Sequence, residues 1–221
     1  MAEIGYILLL INILIYISGI KKATKKAYLV FTTYLIFIGV IEVLGVLFLK
    51  AKGGNLFLTH YYFIIQYLFL SYFYYLIIEN CSVKKLIKTL TPLTLVSLSI
   101  QYFFYPDLFV IFNQYEIFIC ITPIVVYATC HLFQVFKTQN KKYIYITYGA
   151  LLYFLPHALI FSSGNLMPQL PKKVNTIIWE INTIIYAVFL ILIFVEWYTH
   201  FRKKAIFNKQ QPVKLVQTRA F

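Results

Sequence analysis

Seven long apolar stretches alternate with short polar connections along this chain. They run approximately Ile4–Ile20, Tyr28–Leu49, Leu56–Ile78, Leu86–Tyr105, Gln114–Phe136, Tyr143–Ser162 and Val174–Tyr198. A bilayer's hydrocarbon core, about 30 Å thick, takes about 20 helical residues at about 1.5 Å each. Strands crossing the same layer need only about 10 residues, with strict alternation. These runs are long and continuous, so the pattern predicts an all-α, polytopic integral membrane protein: a seven-transmembrane helix bundle over residues 1–199, followed by a basic tail over 200–221. The first stretch has Glu3 before it and no basic leader or small-residue cleavage pattern, so it is read as a retained span and not a signal peptide.

The polar positions between the stretches set an orientation. Sixteen of the twenty Lys and Arg residues fall on alternate connections and the tail. These are Lys21, Lys22, Lys25 and Lys26, then Lys84, Lys85 and Lys88, then Lys137, Lys141 and Lys142, and six more from Arg202 to Arg219. The opposite connections hold only Lys50, Lys52, Lys172 and Lys173. The positive-inside rule puts the larger set in the cytoplasm, which places the N-terminus outside. The fourth stretch is the weakest, with Lys88, Pro92, Gln101 and a run of Thr and Ser. Those hydroxyls suit a helix sheltered inside the bundle, bonding to neighbouring backbones.

Composition agrees with lipid as the solvent. The chain has 221 residues, 61% of them hydrophobic and only 12% charged, about half the charge of an ordinary soluble domain. The net charge of +13 sits in short clusters, and no folded basic domain is evident to hold nucleic acid. The lipid bilayer is the first partner expected. Short connections and a residue usage rich in Phe, Tyr, Ile, Lys and Asn suit a bacterial plasma (inner) membrane. The segment Lys52-Gly53-Gly54-Asn55 reads as a tight turn. Glu79 is expected to pair with Lys84 or Lys85, and Glu196 and His200 are one helical turn apart.

Ionisable groups within a span are costly and mark functional positions. Glu42, His157 and Glu180 come from three different stretches yet fall at one depth, in the outer half. Helical spacing aligns Gly39 with Glu42, Tyr153 with His157, and Asn182 with Tyr186. His60 and Glu116 lie near outer entrances, and Gln66 near mid-membrane. The predicted ligand-binding set is therefore Glu42, His157, Glu180, His60, Gln66, Tyr67, Tyr153 and Asn182, lining a polar cavity that opens outward. Bonding of helix to helix is the alternative role for each.

Several chemistries are argued against. A retinal Schiff base needs a lysine in mid-span, and every lysine here is at a helix end or in a connection. Neither a structural zinc spacing nor a nucleotide or nucleophile-elbow motif occurs. No catalytic residue, metal or cofactor is assigned. The expected function is a receptor- or sensor-like module that binds a small molecule, lipid or proton and signals to a separate cytoplasmic or membrane partner protein. The alternatives are a small transporter or ion conductor, a membrane-embedded lipid-modifying enzyme, and an accessory subunit of a membrane complex.

Overall fold

The computed structural model describes residues 2–20, 25–52 and 54–202. Lys21, Lys22, Gly53 of the expected turn and the tail from residue 203 lie outside the described residues. Seven α-helices follow one another: α1 Ala2–Gly19, α2 Lys26–Lys52, α3 Leu56–Ile77, α4 Cys81–Phe104, α5 Gln114–Thr138, α6 Ile144–Ser162 and α7 Lys172–His200. Single 3-10 segments, Pro106–Val110 and Gly164–Gln169, fill the two longer connections. No strand occurs among the described residues. Five helices, α2, α3, α5, α6 and α7, are long and apolar enough to cross a membrane. The apolar part of α1, Glu3–Gly19, is shorter, and α4 is not among the five.

Six of the helices form a closed ring. Going round it, α1 packs on α2, α2 on α3, α3 on α5, α5 on α6, α6 on α7, and α7 on α1. Polar side chains stitch the last seam: Asn12 Nδ2 donates to the Leu190 carbonyl at 3.0 Å, and the Tyr16 hydroxyl to the Ile193 carbonyl at 3.1 Å. Small residues bring helices close elsewhere. A Cβ at Gly149 of α6 would meet the Phe189 ring of α7 at 2.6 Å.

α4 stands outside this ring, against α3 and α5. The expectation that it is sheltered within the bundle is overturned. Only Ile87, Thr94 and Leu98 of α4 are buried. Thr94 and Ser97 bond across to Tyr67 of α3 and Tyr115 of α5, but Thr91 donates to the Ile87 carbonyl and Ser99 to the Leu95 carbonyl, both four residues back on the same helix. A hydroxyl satisfied by its own helix needs no neighbour, which is what lets it face outward. α4 also starts five residues earlier than the apolar pattern predicts. Asn80 caps it, its side chain accepting from the backbone N–H groups of Ser82 and Val83 at 2.9 and 3.2 Å, which satisfies donors that a helix start leaves open.

The α5–α6 connection turns sharply. Gln139 and Tyr143 both take left-handed backbone conformations, with φ of 56° and 65°. Glu196 of α7, fully buried, braces this corner. Its carboxylate accepts from the backbone N–H of Tyr143 at 2.6 Å and of Tyr145 at 3.0 Å, and lies 3.1 Å from His200 Nδ1. Phe201, just past α7, packs on Tyr16, Tyr28 and Tyr143. Glu79 forms no ion pair among the described residues; its backbone N–H donates to Gln134 instead.

Candidate functional site

At the end of the bundle where α2 stops and α3 starts, the ring encloses a cavity of about 290 Å³. Its walls come from α1, α2, α3, α6 and α7. Glu42 enters from α2, His157 and Tyr153 from α6, Asn182 and Tyr186 from α7, Tyr62 from α3 and Tyr6 from α1. Among the described residues, the lining holds no Lys or Arg.

Two polar groups at the wall, Glu42 and His157, are half satisfied. The Tyr186 hydroxyl donates to Glu42 Oε1 at 2.6 Å, while Glu42 Oε2 is buried without a partner. His157 Nδ1 lies 3.0 Å from Asn182 Oδ1. A carboxamide oxygen only accepts, so Nδ1 carries a proton, and Nε2 of the neutral imidazole is an acceptor. That Nε2 is also buried without a partner, on a residue only 2% exposed. An unmet buried polar atom costs about 1–3 kcal/mol. Two such atoms on one cavity wall mark a place for a hydrogen-bond donor.

Aromatic rings fix these groups in position. The Tyr153 ring stacks on Phe189 with centroids 5.3 Å apart, and the His157 ring lies 4.5 Å from Tyr153 and 4.2 Å from Phe161. The Tyr62 and Tyr153 hydroxyls meet at 3.1 Å across the α3–α6 gap.

Four of the eight sequence-predicted residues, Glu42, His157, Tyr153 and Asn182, line this cavity. The others do not. Glu180, expected to meet Glu42 and His157, is exposed on the outer face of α7. Depth along a helix says nothing of direction around it: Glu180 is two residues from Asn182, about 200° round the axis. The same offset separates His60 from Tyr62 and turns His60 toward α4 and α5. Gln66 and Tyr67 lie deeper in the bundle. Gln66 Oε1 accepts from Tyr34 at 3.4 Å, and the Tyr67 hydroxyl donates to Thr94 at 3.2 Å. Sequence reasoning placed Tyr186 on the right stripe without assigning it a role, and missed Tyr62 and Tyr6 within a tyrosine-rich chain.

His60 belongs to a separate buried cluster. Its Nδ1 is 2.5 Å from Glu116 Oε2, and Tyr102 of α4 donates to the same carboxylate oxygen at 2.6 Å. Asn113 Nδ2 donates in turn to the Tyr102 hydroxyl at 3.2 Å. This cluster joins α3, α4 and α5. Among the described residues, no group of three or more His, Cys, Asp or Glu side chains is placed to hold a metal ion.

Comparison with protein-family models, curated proteins and solved structures gives no match for this chain.

Proposed function

We propose that this chain is a receptor- or sensor-like seven-span membrane protein that binds a small ligand in the Glu42–His157 cavity and passes the bound state to a separate partner protein. One observation carries the reading: Glu42 Oε2 and His157 Nε2, both buried and both without partners, line the same cavity. In this reading α1 and α4 also cross the bilayer. α4 has 24 residues, about 36 Å of helix, and its lysines Lys84 and Lys88 lie over the Tyr75 ring at 5.6 and 5.2 Å, an arrangement that suits a membrane interface. The Lys-rich end then faces the cytoplasm and the cavity opens outside, in a setting for which we favour a bacterial plasma membrane.

The transporter reading draws support from a second cavity of about 280 Å³ at the Lys-rich end, lined by His131, Gln134 and Lys142 among others. The layer between the two cavities is filled by Phe31 and Phe73, both fully buried with ring centroids 5.1 Å apart, and by the Tyr34–Gln66 pair. That packing favours binding without passage.

The test is a thermal-shift screen of small amines, alcohols and amino alcohols on the protein in phosphatidylcholine nanodiscs, repeated on Glu42→Gln/His157→Phe. The proposal expects hits that raise the unfolding temperature of the wild type and not of the double variant. Equal shifts in both proteins refute it. Flux of a hit across proteoliposomes would move the assignment to transport.

A further inference from the structure

Glu42 stands in a wall shared by two spaces. One is the polar cavity. The other is a groove of about 560 Å³ on the outside of the ring, between α1 and α2, floored and walled by Leu10, Ile13, Gly39, Val40, Val43 and Leu47 among others. Tyr6, Glu42 and Val46 line both. The groove is apolar apart from those shared groups. Gly39 lets the helices close up at its floor, since a Cβ there would come 2.7 Å from Ile13 Cδ1. Ile36 and Leu47, toward its two ends on α2, are eleven residues apart, about 16 Å. Val40, Val43 and Leu47 are all exposed, so the groove lies open to the acyl chains of a surrounding bilayer.

We infer that the ligand is a single-chain amphiphile whose head is a protonated amine with a second hydrogen-bond donor, and that it enters sideways from the bilayer. The inference rests on the cavity reading above and names the ligand for it. The head follows from what the cavity lacks. Both unpartnered atoms are acceptors, one of them on a carboxyl group, so the occupant must donate twice; a cation suits Glu42, which meets no Lys or Arg among the described lining residues. The rings of Tyr6, Tyr62 and Tyr186 add faces that attract an ammonium. The tail follows from adjacency: Glu42, which carries one of the two acceptors, borders both the polar cavity and an apolar groove long enough for an extended alkyl chain. Phosphatidylcholine cannot substitute, because its head carries no N–H or O–H donor.

The probes are ethanolamine and N-butyl-, N-octyl- and N-dodecylethanolamine, titrated calorimetrically into phosphatidylcholine nanodiscs with empty discs subtracted. Val43→Trp places a large ring across the groove from an exposed position, and Val43→Ala leaves the groove open. For the octyl and dodecyl probes, Val43→Trp should weaken binding about tenfold, the equivalent of roughly two buried methylenes, with the butyl probe and ethanolamine unchanged. Val43→Ala should keep the chain-length dependence, and Glu42→Gln should weaken every probe. Equal binding of the long probes to wild type and Val43→Trp removes the tail from the groove while leaving the cavity reading intact. Binding by none of the series overturns the amine head, and the broader screen then decides the cavity reading by itself.

Discussion

The hydroxyl of Tyr186 and the carboxylate of Glu42, 144 positions apart in sequence, meet at 2.6 Å and tie α7 to α2 across the cavity mouth. The bond occupies one carboxylate oxygen and leaves the other buried without a partner. Removing the hydroxyl in Tyr186→Phe should therefore do two things. Thermal unfolding in nanodiscs should fall by the equivalent of about 0.6–2 kcal/mol, the scale of interhelical hydrogen bonds in membranes. Ligand selectivity should also broaden, because the carboxylate is free to swing. A variant with wild-type stability and wild-type selectivity would show that the contact is incidental.

Glu196 supports the opposite end. Its replacement by Leu leaves the Tyr143 and Tyr145 N–H groups without their acceptor, and each unmet donor costs about 1–3 kcal/mol. We expect a loss of about 2–4 kcal/mol, with hydrogen exchange rising first at the start of α6. Glu196→Gln, which retains one acceptor oxygen, should be milder. If the Leu variant is as stable as wild type, the brace is dispensable.

The His60–Glu116–Tyr102 cluster predicts a local effect. Tyr102→Phe cuts the polar tie from α4 to the Glu116 carboxylate and to His60. Because α4 packs chiefly against α3, α5 and the adjoining 3-10 segment, amide exchange should quicken over Cys81–Phe104 and stay unchanged over α6 and α7. Uniform quickening across the ring would contradict a peripheral α4.

Gly149 should not tolerate a larger residue. Gly149→Val drives a side chain into the Phe189 ring, an overpacking that costs about 1–3 kcal/mol. Phe189→Leu in the same chain should restore part of the loss. Failure of that second change to help would mean the cost arises in the backbone and not in the α6–α7 seam.

Orientation can be read from a native thiol. Cys81 is free and exposed at the start of α4, while Cys120 is buried and Cys130 partly so. In a Cys120→Ala/Cys130→Ala background, a membrane-impermeant maleimide should label Cys81 only after the cells are opened. Labelling of intact cells would invert the assigned topology.

The number and order of the helices could be read from the sequence because apolar length along one chain is a local property. Residues 56–78 and 114–136 carry that signal without help from neighbours, and the structure places α3 and α5 there. What the sequence could not carry was azimuth. Glu42 and His157 were found because both their depth and their stripe pointed inward. Glu180 shares the depth but sits two residues off the Asn182–Tyr186 stripe, and it faces out. Helix four was misjudged for a related reason: a Thr and Ser ladder looks alike whether the hydroxyls bond across to a partner or back to their own carbonyls. The role of Glu196 as a brace for Tyr143 depended on a contact 53 residues away, which no periodicity announces.

The seam between the first and the last helix bears on how the chain is made. Ribosomes deliver α1 first and α7 last, so Asn12 and Tyr16 are made long before the Leu190 and Ile193 carbonyls that will receive them exist. The corner at Tyr143 likewise waits for Glu196. Until α7 is made, the ring of helices lacks the member that closes it, and these polar groups lack their acceptors. Quality control that recognises unpaired polar side chains would therefore read one event, the arrival of α7, as the sign that assembly is complete.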